Sequence, residues 1–390
     1  SQTGAKFGYN QLWLALFSFP FMTAVQEMCG RIGMVTGTGL AGVIRKHYSR
    51  KILFGAVFLL FLANTINIGA DLGAMAAAGQ LVLGVPFIVW LVVITGISLF
   101  LQIRVPYPAY AKILKYLTLS LFSYIIVAFL VHQPWREIAV KTILPSFSTS
   151  RDYLLNIVAV LGTTISPYLF FWEADQEAEE DLAQHRVRGY GKGMPRITAA
   201  DLRGMRIDNV LGMFFSNMAM FFIIVTVAST LGLHGITDIQ TANQAAEALR
   251  PLAGNITYLL FAVGVIGIGL LAVPVLAGSA SYALSEALGW KAGLHYKFRQ
   301  AHAFYITIAI SMGIGAVINF LGIPTFQMLY YTAVLNGLVA PPLLVILLLV
   351  GNNKKVMAKN TNGPLSNALG WAIAGIMSVA GIALLATIGR

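Results

Sequence analysis

Apolar residues fill the chain in runs of about 18 to 33 positions, broken by short stretches of charge, proline and glycine; this pattern predicts ten membrane-spanning helices. The runs lie at about 9–29, 52–79, 86–103, 110–132, 153–178, 208–232, 255–287, 302–321, 325–350 and 366–388. Each is too long, and too uniformly apolar, for the alternating strands of a membrane β-barrel, which need only about ten residues.

Composition agrees with the pattern. Of 390 residues, 57% are hydrophobic and 11% charged, and the mean hydropathy is +0.76. A soluble domain is nearer a quarter charged, so an ordinary soluble enzyme is excluded. The net charge of +11 would suggest nucleic acid in a soluble protein; here the basic residues sort by side of the membrane. Arg31, the cluster from Arg45 to Lys51, and those from Arg104 to Lys115, Arg186 to Arg206, Lys291 to Arg299 and Lys354 to Lys359 fall in alternate connections. Lys6, Arg136, Lys141, Arg151, Arg250 and Arg390 lie on the opposite side. The first run is therefore expected to pass from outside to inside, with the basic loops cytoplasmic. A chain starting outside without a leader needs a preceding span, so a helix before Ser1 is expected, with 1–8 as its outer end. Cys29 is the single cysteine, which rules out an internal disulfide and any CxxC metal motif.

Several spans hold residues that lipid would penalise. The fifth contains Thr163-Thr164-Ile165-Ser166-Pro167-Tyr168. Pro167 removes a backbone donor and clashes with the preceding turn, so a helix break is expected there, freeing carbonyls around 162–164. Such a break forms an ion or substrate site in secondary transporters, or is a packed kink. Ser166, Glu173, Glu177 and Glu180 share one helix face below it. Glu173 and Glu177 read as a cation path; Glu179, Glu180 and Asp181 read as a solvated helix end. Asn64, Asn67 and Asp71 form one face of the second span, with Asp71 either a pathway group or a neutral packing residue. Asn217, Asn319 and Asn336 are lone amides, either gating groups or interhelical glue, and Pro341-Pro342 are expected to distort the helix of Asn336. Gly264, Gly267 and Gly269 favour close helix packing. No phosphate loop, Ser-His-Asp set or HExxH occurs, so an enzyme is not expected, nor any cofactor.

With these residues assembled, the chain resembles the Nramp divalent-metal transporters: Gln2-Thr-Gly-Ala-Lys-Phe-Gly-Tyr9, Arg31-Ile-Gly-Met-Val-Thr-Gly-Thr-Gly-Leu-Ala41, Ala70-Asp71-Leu72 and Ile165-Ser166-Pro167-Tyr168 occur in family order. The segment Ala63 to Met75 and Thr163 to Trp172 with its acidic sequel look like the Nramp-related magnesium transporter branch. The resemblance implies an all-α polytopic membrane protein of LeuT-type inverted-repeat fold. Its ten helices here would be the second to the eleventh: 1–132 the remainder of the first repeat, 153–350 the second, and 366–388 an extra helix. It also implies a metal held between the unwound first and sixth helices. Where Nramps carry Met-Pro-His, this chain has Ser166-Pro167-Tyr168; a hydroxyl in place of a thioether favours hard, hydrated Mg²⁺ over softer ions. Thr163, Ser166 and Tyr168 are the implied metal contacts. Asp71 matches a proton-path aspartate, but the next family carboxylate is Ala74, and Glu173 replaces a second histidine. These departures speak against proton coupling. The expectation is a bacterial inner-membrane transporter of Mg²⁺, also passing Mn²⁺, working as a monomer in the bilayer. The alternatives are a proton-coupled Mn²⁺/Fe²⁺ symporter, an organic-solute transporter of the same fold, or a non-transporting membrane scaffold.

Overall fold

A computed structural model describes residues 1–105, 116, 118–187, 189–191, 193–232 and 235–388. The first part of the expected span 110–132, and Lys112, Lys115, Arg188, Lys192 and Arg390, lie outside the described residues. Among those described, every long element is a helix. In chain order they are α1 (Gln2–Phe7), α2 (Trp13–Thr36), α3 (Leu40–His47), α4 (Arg50–Leu83), α5 (Phe87–Arg104), α6 (Phe122–Leu130), α7 (Trp135–Ile143), α8 (Arg151–Thr164), α9 (Pro167–Ala183), α10 (Ala199–Thr230), α11 (Ala242–Glu247), α12 (Thr257–Leu288), α13 (His302–Ile318), α14 (Thr325–Gly351) and α15 (Pro364–Ile388).

Eight of the described helices are long and apolar enough to cross a membrane, with α8 and α9 counted as one. They correspond to eight of the ten predicted runs. The other two differ for separate reasons. The run at 9–29 becomes the 24-residue α2, long enough to span at about 1.5 Å per residue, but too polar to count with the eight. It continues through Arg31, which the charge pattern had placed in a connection. Arg31 is buried inside the helix, within 3.5 Å of Glu27 one turn earlier and 2.7 Å from the Asn362 side-chain oxygen. Of the run at 110–132, the described part contains the nine-residue α6.

Local chemistry sets the helix ends. Left-handed glycines close α2 at Gly37, α4 at Gly84 and α12 at Gly289. Thr198 and Asp201 form a reciprocal capping box at the start of α10. By contrast, Pro341 and Pro342 do not interrupt α14, which runs unbroken from Thr325 to Gly351.

At the centre, α4 packs against α12, α13 and α14, while α2 packs against α9 and α10. Helix α8 lies against α14 at backbone distance: a side chain on Gly162 would meet the Ala333 carbonyl oxygen at 2.1 Å, and one on Gly337 would meet that of Val158 at 2.3 Å. Only glycine permits this approach. Gly269 likewise admits the Met75 thioether. The periphery has the opposite character, with Phe58, Val92, Phe100 and Val379 exposed, as expected of surfaces solvated by acyl chains.

Candidate functional site

The fifth predicted span is two helices. Thr164 ends α8, Pro167 is the first residue of α9, and Ile165 and Ser166 between them are non-helical (φ −118°, ψ 64° and φ −81°, ψ 132°). Proline explains the geometry: it excludes helical backbone from the residue before it, yet is well accommodated at the first helical position. The freed carbonyls are not bare. The Ser166 hydroxyl donates to the Gly162 oxygen at 2.6 Å and lies 3.0 Å from that of Thr163. Its proton is committed to the backbone, while its oxygen lone pairs face away from that bond. Thr163 is exposed and donates to Ala159 one turn back, and the buried Thr164 does the same to Val160. Tyr168 is half-buried, and its carbonyl accepts from Ser279 of α12 at 2.9 Å.

Asp71, half-buried on α4, is close enough to Tyr168 to interact with it electrostatically. One turn along α4, Asn67 and Asn336 of α14 exchange amide hydrogen bonds at 2.9 and 3.3 Å. The break, Asp71 and the paired amides thus share the region where α4, α8, α9 and α14 meet. Asn217 stands apart from it: its amide donates to the Ala15 carbonyl and joins α10 to α2. Asn319 similarly donates to the Gly69 carbonyl. The side-chain donors at the break are oxygens; among the described residues no group of three or more His, Cys, Asp or Glu could hold a metal ion.

Below the break, Glu173 is half-buried beside Gly30, and Glu177 interacts with Glu173, Glu180, Asp181 and Asp208. The solvated-end reading survives only for Glu180, which is exposed. Asp181 is 1% exposed and pairs with Arg186 at 3.3 Å. Glu179 accepts from the Tyr282 hydroxyl at 2.6 Å and the Leu294 N–H at 2.9 Å, and pairs with His295 at 2.7 Å. Solvation fails for these two because folding brings partners onto the same helix end.

One buried group was not foreseen. Glu286 of α12 accepts from the Thr38 hydroxyl at 2.9 Å and from the Gly39 and Gly42 N–H groups, both at 2.8 Å. It therefore satisfies the N-terminus of α3 from a distant part of the chain. Asp175 of α9, fully buried, faces it across Gly39: a β-carbon there would lie 1.8 Å from Asp175 Oδ1 and 2.8 Å from Glu286 Oε2. The Tyr190 hydroxyl donates to Asp175 and accepts from the Gly39 N–H. Burial, reinforced by the Asp175 and Glu286 carboxylates, pushes the Tyr190 phenol well above its ordinary range, so it remains a donor. The only local clue in the sequence was the glycine spacing Gly37-Thr-Gly39 with Gly42.

Comparison with known proteins bears on this arrangement. Residues 1–387 match the family described as Natural resistance-associated macrophage protein-like, Nramp. The chain is 25% identical over 387 residues to a divalent metal cation transporter MntH of Klebsiella pneumoniae, covering 96% of this chain and 86% of that one. It is 25% identical over 390 residues to a protein of the same name from Mycobacterium leprae, covering 98% and 86%. Among solved structures, a manganese transporter of Eremococcus coleocola superposes with a TM-score of 0.72 at 18% identity, covering 97% of this chain and 80% of the other. Mhp1, a nucleobase-cation-symport-1 family transporter, superposes with a TM-score of 0.54 at 12% identity, covering 98% and 87%. The all-α, LeuT-type transporter fold that the family resemblance implies is the fold these structures share with the chain.

Proposed function

The chain belongs to the Nramp family, and from that premise we propose that it is a divalent metal transporter taking up Mg²⁺, and also Mn²⁺, by alternating access without obligatory proton symport. The observation that carries this reading is the donor set at the break. Thr163, Ser166 and Tyr168 offer hydroxyl and carbonyl oxygens, with no sulfur or imidazole among them. Hard oxygen donors suit Mg²⁺, which keeps several of its waters, so a largely hydrated ion is held there. Asp71, Glu173 and Glu177 line its path, with the Asn67–Asn336 pair as a gating contact. Asn217 serves the same movement by holding α10 to α2.

Uncoupled uptake is energetically sufficient. An inward-negative potential contributes about 4.6 kcal/mol per 100 mV for a divalent cation, twice the single-charge figure. The setting is a bacterial inner membrane with the basic loops cytoplasmic and the monomer as the working unit. The repeats run over 1–132 and 153–350, followed by the separate helix at 366–388.

A second reading has its own support. The Eremococcus neighbour is a manganese transporter, and Asp71, within electrostatic range of Tyr168, is a carboxylate that could carry a proton. Full-length protein in liposomes, with Mg²⁺ and Mn²⁺ uptake recorded beside internal pH, separates the two. Mg²⁺ entry without acidification is expected; Mn²⁺ entry strictly tied to proton influx, with Mg²⁺ neither entering nor competing, would overturn the proposal.

A further inference from the structure

A cleft of about 970 Å³ opens between the end of α5 and the loop joining α12 to α13. Arg104, the last residue of α5, contributes to its wall together with Lys297 and Arg299, and among the described residues no Asp or Glu lines it. Among the described residues none of these three cations is in an ion pair. Glu179, which contacts the loop, is already engaged by His295, Tyr282 and the Leu294 N–H. The remaining wall includes Phe298, Tyr305 and Pro274. Pro274 lies well inside α12, so the cleft runs from a basic mouth along an apolar wall into the spanning region. It opens beside helices that face lipid: α5 exposes Val93, Ile97 and Phe100, and α13 exposes Ile306 and Ile310. Gln102, 5% exposed, also lines it, and its side-chain oxygen has no hydrogen-bond partner.

We propose that this cleft binds an anionic phospholipid. The phosphate would sit among Arg104, Lys297 and Arg299, and an acyl chain would follow the wall past Phe298 and Tyr305. A basic pocket between spanning helices is the recognised form of such sites. The lipid, rather than a soluble anion, is favoured because the apolar wall and the adjoining lipid-facing helices would leave a free phosphate's surroundings half-wetted. The site is separate from the helix break and independent of which metal is carried.

The test uses full-length protein in nanodiscs of equal phosphatidylglycerol and phosphatidylcholine, with retained lipid read by native mass spectrometry. Phosphatidylglycerol is expected to be retained selectively, and R104Q/K297Q/R299Q to reduce that retention about tenfold or more. K354Q/K355Q/K359Q, which removes the same charge elsewhere, should leave it unchanged. Equal retention by the first variant and the unmodified protein, or no preference over phosphatidylcholine, overturns the proposal. So does displacement of the lipid by millimolar glycerol 3-phosphate, which would mark a soluble-anion site. Should the triple variant not fold, a photoreactive phosphatidylglycerol on the unmodified protein decides: adducts are expected at 294–305, and adducts confined to other segments overturn it.

Discussion

Gly39 shows how one residue without a side chain can organise a buried polar cluster. Its backbone N–H serves Glu286, and the space a β-carbon would need is taken by Asp175 Oδ1. The backbone there is ordinary (φ −69°), so the requirement is room rather than unusual torsion. Gly39→Ala is therefore expected to cost about 1–3 kcal/mol through forced displacement of a buried carboxylate. Thermal unfolding of the purified protein measures this. Adding Asp175→Ala should recover part of the loss, because it removes the atom in collision; an additive result would show that the two positions do not oppose each other.

At the scale of elements, α4 carries much of the connectivity, reaching α12 through Asn64 to the Leu276 carbonyl at 3.0 Å and α14 through Asn67 and Asn336. Asn67→Ala and Asn336→Ala should be strongly non-additive. A coupling of about 0.6–1.7 kcal/mol in a double-mutant cycle is expected for such a bond between membrane helices. The break at Ser166–Pro167 was legible from sequence because its cause is local: proline acts on the residue before it and the turn behind it. Most long spans were legible for the same kind of reason, since a run of apolar residues needs no knowledge of its neighbours. What sequence could not disclose was pairing at a distance. Arg31 looked like the charge that ends a span until Asn362, 331 positions later, was brought beside it. Asp175 looked like one member of an acidic run until Glu286, 111 positions later, faced it. The same was true of Glu179, which looked solvated until Tyr282, Leu294 and His295 were brought to it from more than 100 positions away.

For the molecule as a whole, the arrangement of basic residues makes orientation measurable. Cys29 is fully buried, so single cysteines placed at exposed positions report without background. In intact cells, an impermeant maleimide is expected to label Arg136→Cys directly and Lys355→Cys only after permeabilisation. Both positions are exposed, and the reverse pattern would invert the orientation inferred from the basic loops.

Helix α2 carries a consequence for biosynthesis. It is too polar to match its neighbours as a membrane segment, and its buried Glu27 and Arg31, one turn apart, take further partners from far along the chain: Arg206 donates to Glu27 across 179 positions, and Asn362 accepts from Arg31 across 331. Neither contact can form until the ribosome has made those residues. Helix α2 therefore completes its burial only after the 331 residues that separate Arg31 from Asn362 have followed it from the ribosome.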